Sequence, residues 1–372
     1  MTPHSGYHWR GQTTRFFEGW YFRLTLPACR QTFAFMYSID DPAGGGNYSG
    51  GAAQILGPYE TYYCRTFPAV NRFWAERDRL ALGHWRKANG AFATQPLAPE
   101  AFVQHVEEGY QVVCTHAPGY PQSHHHQGKL LFPSGQVHSQ WNYQVIPIDG
   151  WGGALPDVGR KSGGDRPQKA TAGWLSYFPV FEPGWQILMA HGLASGWITW
   201  QGKRYDFEQA PAYAEKNWGG AFPAKWFWLQ CNAFADEPSL SLTAAAGARE
   251  VLGWRENVGL IGIHHQGKFY EFISTQTRFT WAVEPWGYWH LTATSDRHRV
   301  TLTGRAAGGG TWVRVPTKVG LQFYAVTPLT VSFAVQLWER TAFAEKLLLS
   351  RTSQLAGLEV GGSPWDEPWV KD

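Results

Sequence analysis

The chain has 372 residues, long enough for one large domain or two ordinary ones, and a split is the expectation. A net charge of +3 with 16% charged residues announces no basic face, which argues against a nucleic-acid partner. Aromatic residues also reach 16%, with 21 Trp; they can fill a core, but so many indoles also suit a cavity for a long apolar or π-rich ligand.

The N-terminal stretch has no basic region followed by an apolar run, so no secretory signal is read. No segment approaches 18 uninterrupted apolar residues, and the expectation is a protein soluble or peripheral to a membrane.

The first predicted strand contains FFEGWYF, Phe16 to Phe22. Period two puts Glu18, Trp20, Phe22 and Leu24 on one face and Phe17, Gly19, Tyr21 and Arg23 on the other. A carboxylate on an aromatic face needs an explanation, because desolvation disfavours its charge. Either it pairs with an Arg or Lys, or it is kept protonated to deliver a proton.

Strand-like runs follow at 31–39, 109–116, 185–200, 225–234, 269–283, 287–294 and 330–340, rich in aromatic and β-branched residues and separated by Gly, Pro, Asn and Asp. One helix is predicted over Pro99 to Glu108, with Pro at its start, Phe102 and Val106 four apart, and Gly109 to close it. The His124-His125-His126 run reads as a polar loop rather than a metal site, since successive side chains point apart. His264-His265 reads the same way. Residues 157–174, basic and Gly-rich, read as a long surface loop. Gln201-Gly202 and Gln266-Gly267 mark hairpin turns. Cys29, Cys64, Cys114 and Cys231 form no CxxC pair and read as reduced core thiols.

About a dozen strands before Lys216 and about ten after Ala224 suit an all-β chain of two tandem antiparallel barrels, residues 1–218, carrying the loop, and 219–372. A short echo between EGWYF in the first half and EKNWGG at the start of the second is consistent with duplication.

Three familiar signatures fail. Gly262, Gly267 and Lys268 have phosphate-loop spacing, but Phe269 stands where a hydroxyl is needed. No GxSxG elbow is present, and no aspartate-rich diphosphate motif. The remaining chemical candidate is Ala212 to Phe234. There Glu215, Lys216, Asn217 and Trp218 read as a turn or as a site, and Trp226, Trp228, Gln230 and Asn232 share one face of the next strand. That face suits a pocket with an apolar depth and a polar end, or a barrel core.

Six segments together, 2–27, 33–43, 50–57, 171–202, 213–234 and 285–293, resemble the tocopherol cyclase family, and the likeness runs from Thr2 to about Trp369. The resemblance implies closure of 2-methyl-6-phytyl-1,4-benzoquinol, or its 2,3-dimethyl relative, to a chromanol without metal or redox cofactor. It is also distantly similar to lipocalin-like carotenoid hydratases. Their first motif corresponds to Glu18, Trp20 and Tyr21, with Gly19 in place of a Trp, and their second to Glu215, Lys216 and Trp218. That similarity implies two lipocalin-like barrels.

Alkene protonation would then fall to Glu18 or Glu215, with Lys216, Asn217 and Tyr21 orienting the acid or binding a quinol hydroxyl. Trp20, Trp218, Trp226 and Trp228 would stabilise a tertiary cation, and Gln230 and Asn232 would contact substrate. Lys216 beside Glu215 would lower that acid's pKa, which favours Glu18 as donor. The resemblance and the apolar tail imply peripheral association with thylakoid membranes or lipid particles, in a cyanobacterial setting. The competing classes are a prenylquinone carrier, which returns its ligand unchanged, and a hydratase, which adds water to an open chain.

Overall fold

The computed structural model describes residues 2–87, 89–91, 94–115, 122–153, 168–177, 183–251, 254–285 and 287–372. Eleven strands make a first antiparallel sheet: β1 (Phe17–Leu26), β2 (Gln31–Asp40), β3 (Gly50–Leu56), β4 (Tyr62–Phe67), β5 (Phe73–Ala75), β6 (Ala81–Lys87), β7 (Val106–Thr115), β8 (Ser123–Leu131), β9 (Val137–Asp149), β10 (Gly184–Trp200) and β11 (Lys203–Gly219). Twelve more make the second: β12 (Lys225–Cys231), β13 (Ser241–Val251), β14 (Trp254–His265), β15 (Lys268–Ile273), β16 (Arg278–Glu284), β17 (Tyr288–Thr294), β18 (His298–Arg305), β19 (Thr311–Thr317), β20 (Gly320–Thr327), β21 (Val331–Arg340), β22 (Glu345–Gly362) and β23 (Trp369–Lys371). The chain is all-β, with two curled, lipocalin-like sheets in tandem.

Alternation decides which side chains fill each sheet. In β1, Trp20, Phe22 and Leu24 enter the core of the first sheet, where they meet Phe35, Tyr37 and Trp141. In β12, Phe227 and Leu229 enter the core of the second with Trp281, Trp289 and Leu358. Both turn pairs form the predicted hairpins: Gln201 (φ 48°) with Gly202 (φ 80°), and Gln266 (φ 50°) with Gly267 (φ 71°).

The outer faces of the two sheets pack on one another. Arg23, fully buried, leaves the outer face of β1 and donates from Nη1 to Gln230 Oε1 (2.7 Å) and from Nη2 to the carbonyls of Leu329 (3.0 Å) and Leu355 (2.7 Å). Asn232 Nδ2 donates to the Ala212 carbonyl at 2.8 Å. These bonds tie β12 and its neighbours to β1 and β11.

Several local expectations are corrected. The helix, α1 (Pro99–His105), stops before Glu108, because Val106 turns extended and pairs with Lys87 of β6. Gly109 closes no helix: it lies in β7 at φ 129°, where a Cβ would sit 2.2 Å from the His84 carbonyl oxygen. The three histidines lie in β8, with His124 and His126 buried and His126 stacked on Tyr143 (4.6 Å between centroids). His265 is also buried, with Nδ1 2.5 Å from Glu237. Cys114 and Cys231 are buried thiols, but Cys29 is exposed. The EGWYF and EKNWGG segments are not counterparts in two halves. They are neighbours in one sheet, with Glu18 opposite Trp218 and Trp20 opposite Lys216. Residues 157–167 of the expected loop lie outside the described residues; Gly173–Tyr177 form a 3-10 turn.

Candidate active site

The four residues Glu215 to Trp218 are the end of strand β11, not a turn, so their side chains alternate between two environments. Lys216 points into the first sheet with Trp20; Glu215 and Asn217 point outward toward the second.

Inside, the Lys216 ammonium is fully buried, pairs with Glu18 and donates to the Gly6 carbonyl at 2.6 Å. Glu18 Oε2 also accepts the His8 backbone N–H (2.9 Å), and His8 Nδ1 stands 3.2 Å from Oε1. The His8 ring stacks flat on Trp218, 4.0 Å between centroids, and the ammonium lies 5.4 Å from the ring centres of both Trp20 and Trp218. Burial pushes the Glu18 carboxyl upward, but the Lys216 charge and the hydrogen bonds from His8 and Lys216 outweigh it and hold the carboxyl below its usual range. Burial lowers Lys216, against the pull of Glu18.

Outside, Glu215 lines a cavity of about 370 Å³ between the sheets, walled by Trp185, Phe222, Trp226, Trp228 and Leu260. Small residues make the room: Ala245 stands opposite Trp228 and Gly247 opposite Trp226, while a Cβ on Gly361 would lie 1.9 Å from the Trp226 ring. Three donors converge on one oxygen of Glu215: Trp185 Nε1 (2.9 Å), Tyr213 Oη (2.6 Å) and Trp228 Nε1 (3.1 Å) all reach Oε2. Among the described residues no donor reaches Oε1. Burial raises the carboxyl to about 7 against the lowering effect of these bonds, and Glu359 contributes to the rise. The premise that Lys216 depresses Glu215 is therefore corrected: the lysine is on the other face and serves Glu18.

Of the other residues singled out from the sequence, Asn217, Trp226 and Trp228 line this cavity. Gln230 and Asn232 are occupied in joining the sheets, and Trp20 and Trp218 surround Lys216. The Tyr21 hydroxyl is buried beside the cavity without a hydrogen-bond partner, its ring edge-on to Trp228 at 5.3 Å. The sequence reading missed Trp185, Tyr213, Glu359 and His8. Continuing the β11 alternation backward from Glu215 finds Tyr213. No group of three His, Cys, Asp or Glu among the described residues is placed to hold a metal ion.

The sequence matches the tocopherol cyclase-like family over residues 14–362. The chain belongs to the tocopherol cyclase family. It is 40% identical over 389 residues to a probable chloroplastic tocopherol cyclase of Oryza sativa subsp. japonica, a match spanning 99% of this chain and 80% of that one. The chloroplastic tocopherol cyclase of Zea mays is also 40% identical over 389 residues, with 99% and 79% covered. Membership makes the chain an enzyme of the ring-closing, isomerase type. The fold is shared with CghA, crystallised with Sch210972, at TM-score 0.50 and 9% identity over 97% of this chain and 96% of that one.

Proposed function

We propose that this member of the family closes 2-methyl-6-phytyl-1,4-benzoquinol and its 2,3-dimethyl relative to δ- and γ-tocopherol, with Glu215 as the proton donor. The observation that carries the assignment is the one-sided hydrogen bonding of Glu215 in an indole-walled cavity. With three donors on Oε2, a proton resides on Oε1, the oxygen left open for substrate. An alkene is a poor base, and a carboxyl raised to about 7 keeps a substantial protonated fraction at neutral pH, able to protonate it.

Protonation of the first prenyl double bond gives a tertiary cation, which the phenol oxygen captures. The faces of Trp226 and Trp228 would each stabilise that cation by roughly 0.5–2 kcal/mol. A cavity near the small end of ligand sites suits the ring and the first prenyl unit, with the remaining tail running outward. Such a tail is lipid-borne, so the reading includes peripheral association with a thylakoid membrane or lipid particle in a cyanobacterium-like cell. No helix among the described residues is long and apolar enough to cross a membrane.

The test is incubation with the reduced quinol in deuterated buffer. Chromanol with one deuterium in the new ring, lost in Glu215→Gln, is the expected product. Quinol bound but returned unchanged would make the chain a carrier, and a deuterated tertiary alcohol would make it a hydratase.

A further inference from the structure

Ring closure moves a proton on and a proton off. If Glu215 supplies one to the alkene carbon, the phenol must surrender another, and a cavity walled by indoles offers little water to take it. Among the described residues that line the cavity, Glu215 and Glu359 are the two with titratable side chains. We propose that Glu359 binds the quinol hydroxyl that closes the ring and is the base that removes its proton. This inference rests on the cyclase reading above.

The two carboxyls are held in different ways. Among the described residues the three donors to Glu215 all reach one oxygen, which leaves the other free to carry the proton of a neutral acid. Glu359 receives one donor on each: Trp226 Nε1 to Oε1 and Thr327 Oγ1 to Oε2, both at 2.8 Å. That symmetric pattern suits a carboxylate, and each oxygen keeps a lone pair for a phenol O–H. Register places Glu359 opposite Trp228 on β12, the tryptophan whose N–H holds Glu215. The two acids thus approach the cavity from different sheets. Burial also raises Glu359, making it a stronger base than an ordinary carboxylate, and its charge helps keep Glu215 protonated.

The step balances within the pair. The alkene π electrons form a C–H bond with the Glu215 proton, and a phenol lone pair forms the C–O bond. The O–H electron pair stays on oxygen as its proton passes to Glu359. Glu215 ends as the carboxylate and Glu359 as the acid. Water entering as product leaves returns the proton from Glu359 to Glu215, and no oxidant or reductant is needed.

The test compares wild type, Glu359→Gln and Glu215→Gln on the reduced quinol in deuterated buffer, with substrate binding followed by tryptophan fluorescence to confirm an intact site. Glu359→Gln should bind quinol and form chromanol about a hundredfold or more slowly. It should still place deuterium in recovered open-chain quinol or its alkene isomers, because the cation forms and then loses a proton. Glu215→Gln should lose both closure and labelling. A ring-fluorinated quinol, whose hydroxyl is more acidic, should recover part of the Glu359→Gln rate. Closure by Glu359→Gln within a fewfold of wild type would overturn the proposal, as would loss of labelling together with closure. A wild-type chain that neither closes nor labels the quinol would overturn the cyclase reading itself, and the role of Glu359 with it.

Discussion

Glu215 and Lys216 are adjacent in the chain and serve opposite faces of β11, the first in the cavity between the sheets and the second in an ion pair with Glu18 inside the first sheet. One peptide bond therefore separates the acid proposed as proton donor from a cation buried in an ion pair. The division of labour between Glu18 and Glu215 follows from strand geometry.

Glu18→Gln and Glu215→Gln should fail differently. The first leaves the buried Lys216 ammonium without its counter-charge, an arrangement that costs about 3–5 kcal/mol. Urea unfolding should show that loss, while molecules that remain folded keep much of their turnover. Glu215→Gln should unfold near wild type and lose turnover by about 10²–10⁴.

The pH profile should carry the mark of Glu215. With its acid form as the proposed donor, kcat/KM should fall about tenfold per unit above a pH of about 7. Stability follows the same sign: a carboxyl raised by folding binds its proton more tightly in the native state. Its contribution is complete below the ordinary carboxylate range and is lost as pH rises through about 7. Initial rates and thermal melts across that range check both.

Trp228→Phe keeps an aromatic face but removes one N–H from Glu215 Oε2. That bond lowers the acid, so its loss should move the alkaline limb of kcat/KM to higher pH. An unmoved limb would mean that a different group controls it.

Filling the cavity should block substrate without unfolding the chain. A Cβ at Gly247 meets nothing closer than 3.9 Å, and Gly247→Leu should extend into the cavity. The expected result is a kcat/KM reduced at least about tenfold, with an unchanged melting temperature.

Arg23→Ala strips three oxygens of their donor between the sheets: Gln230 Oε1 and the carbonyls of Leu329 and Leu355. Each buried acceptor left alone costs about 1–3 kcal/mol, and chemical denaturation should register the sum as a marked loss of stability.

Much of the fold was legible in the sequence because strands announce themselves by period-two patterning and two-residue turns. The same pattern exposed Trp226 and Trp228 as one face. Lys216 is misplaced when its neighbourhood to Glu215 in sequence is taken for neighbourhood in space; strand alternation continues as far as Gly219 and sends the two side chains to opposite faces. Glu359 left less trace. It is a lone acid in GLEVGG, and its importance depends on a pairing between β22 and β12 more than a hundred residues apart in sequence. His8 was invisible for a related reason, since its bond to Glu18 is made by an irregular segment with no periodicity to extrapolate.

The cavity takes Glu215, Trp185 and Asn217 from the first sheet and Glu359, Trp226 and Trp228 from the second. A chain severed between Gly219 and Lys225 would yield two fragments, each with one of the two cavity carboxyls and one side of the aromatic wall. The site is thus a property of the seam, and neither sheet alone is a smaller version of the enzyme. Whatever loosens the Arg23 tie would dilute the catalyst even where both sheets stay folded.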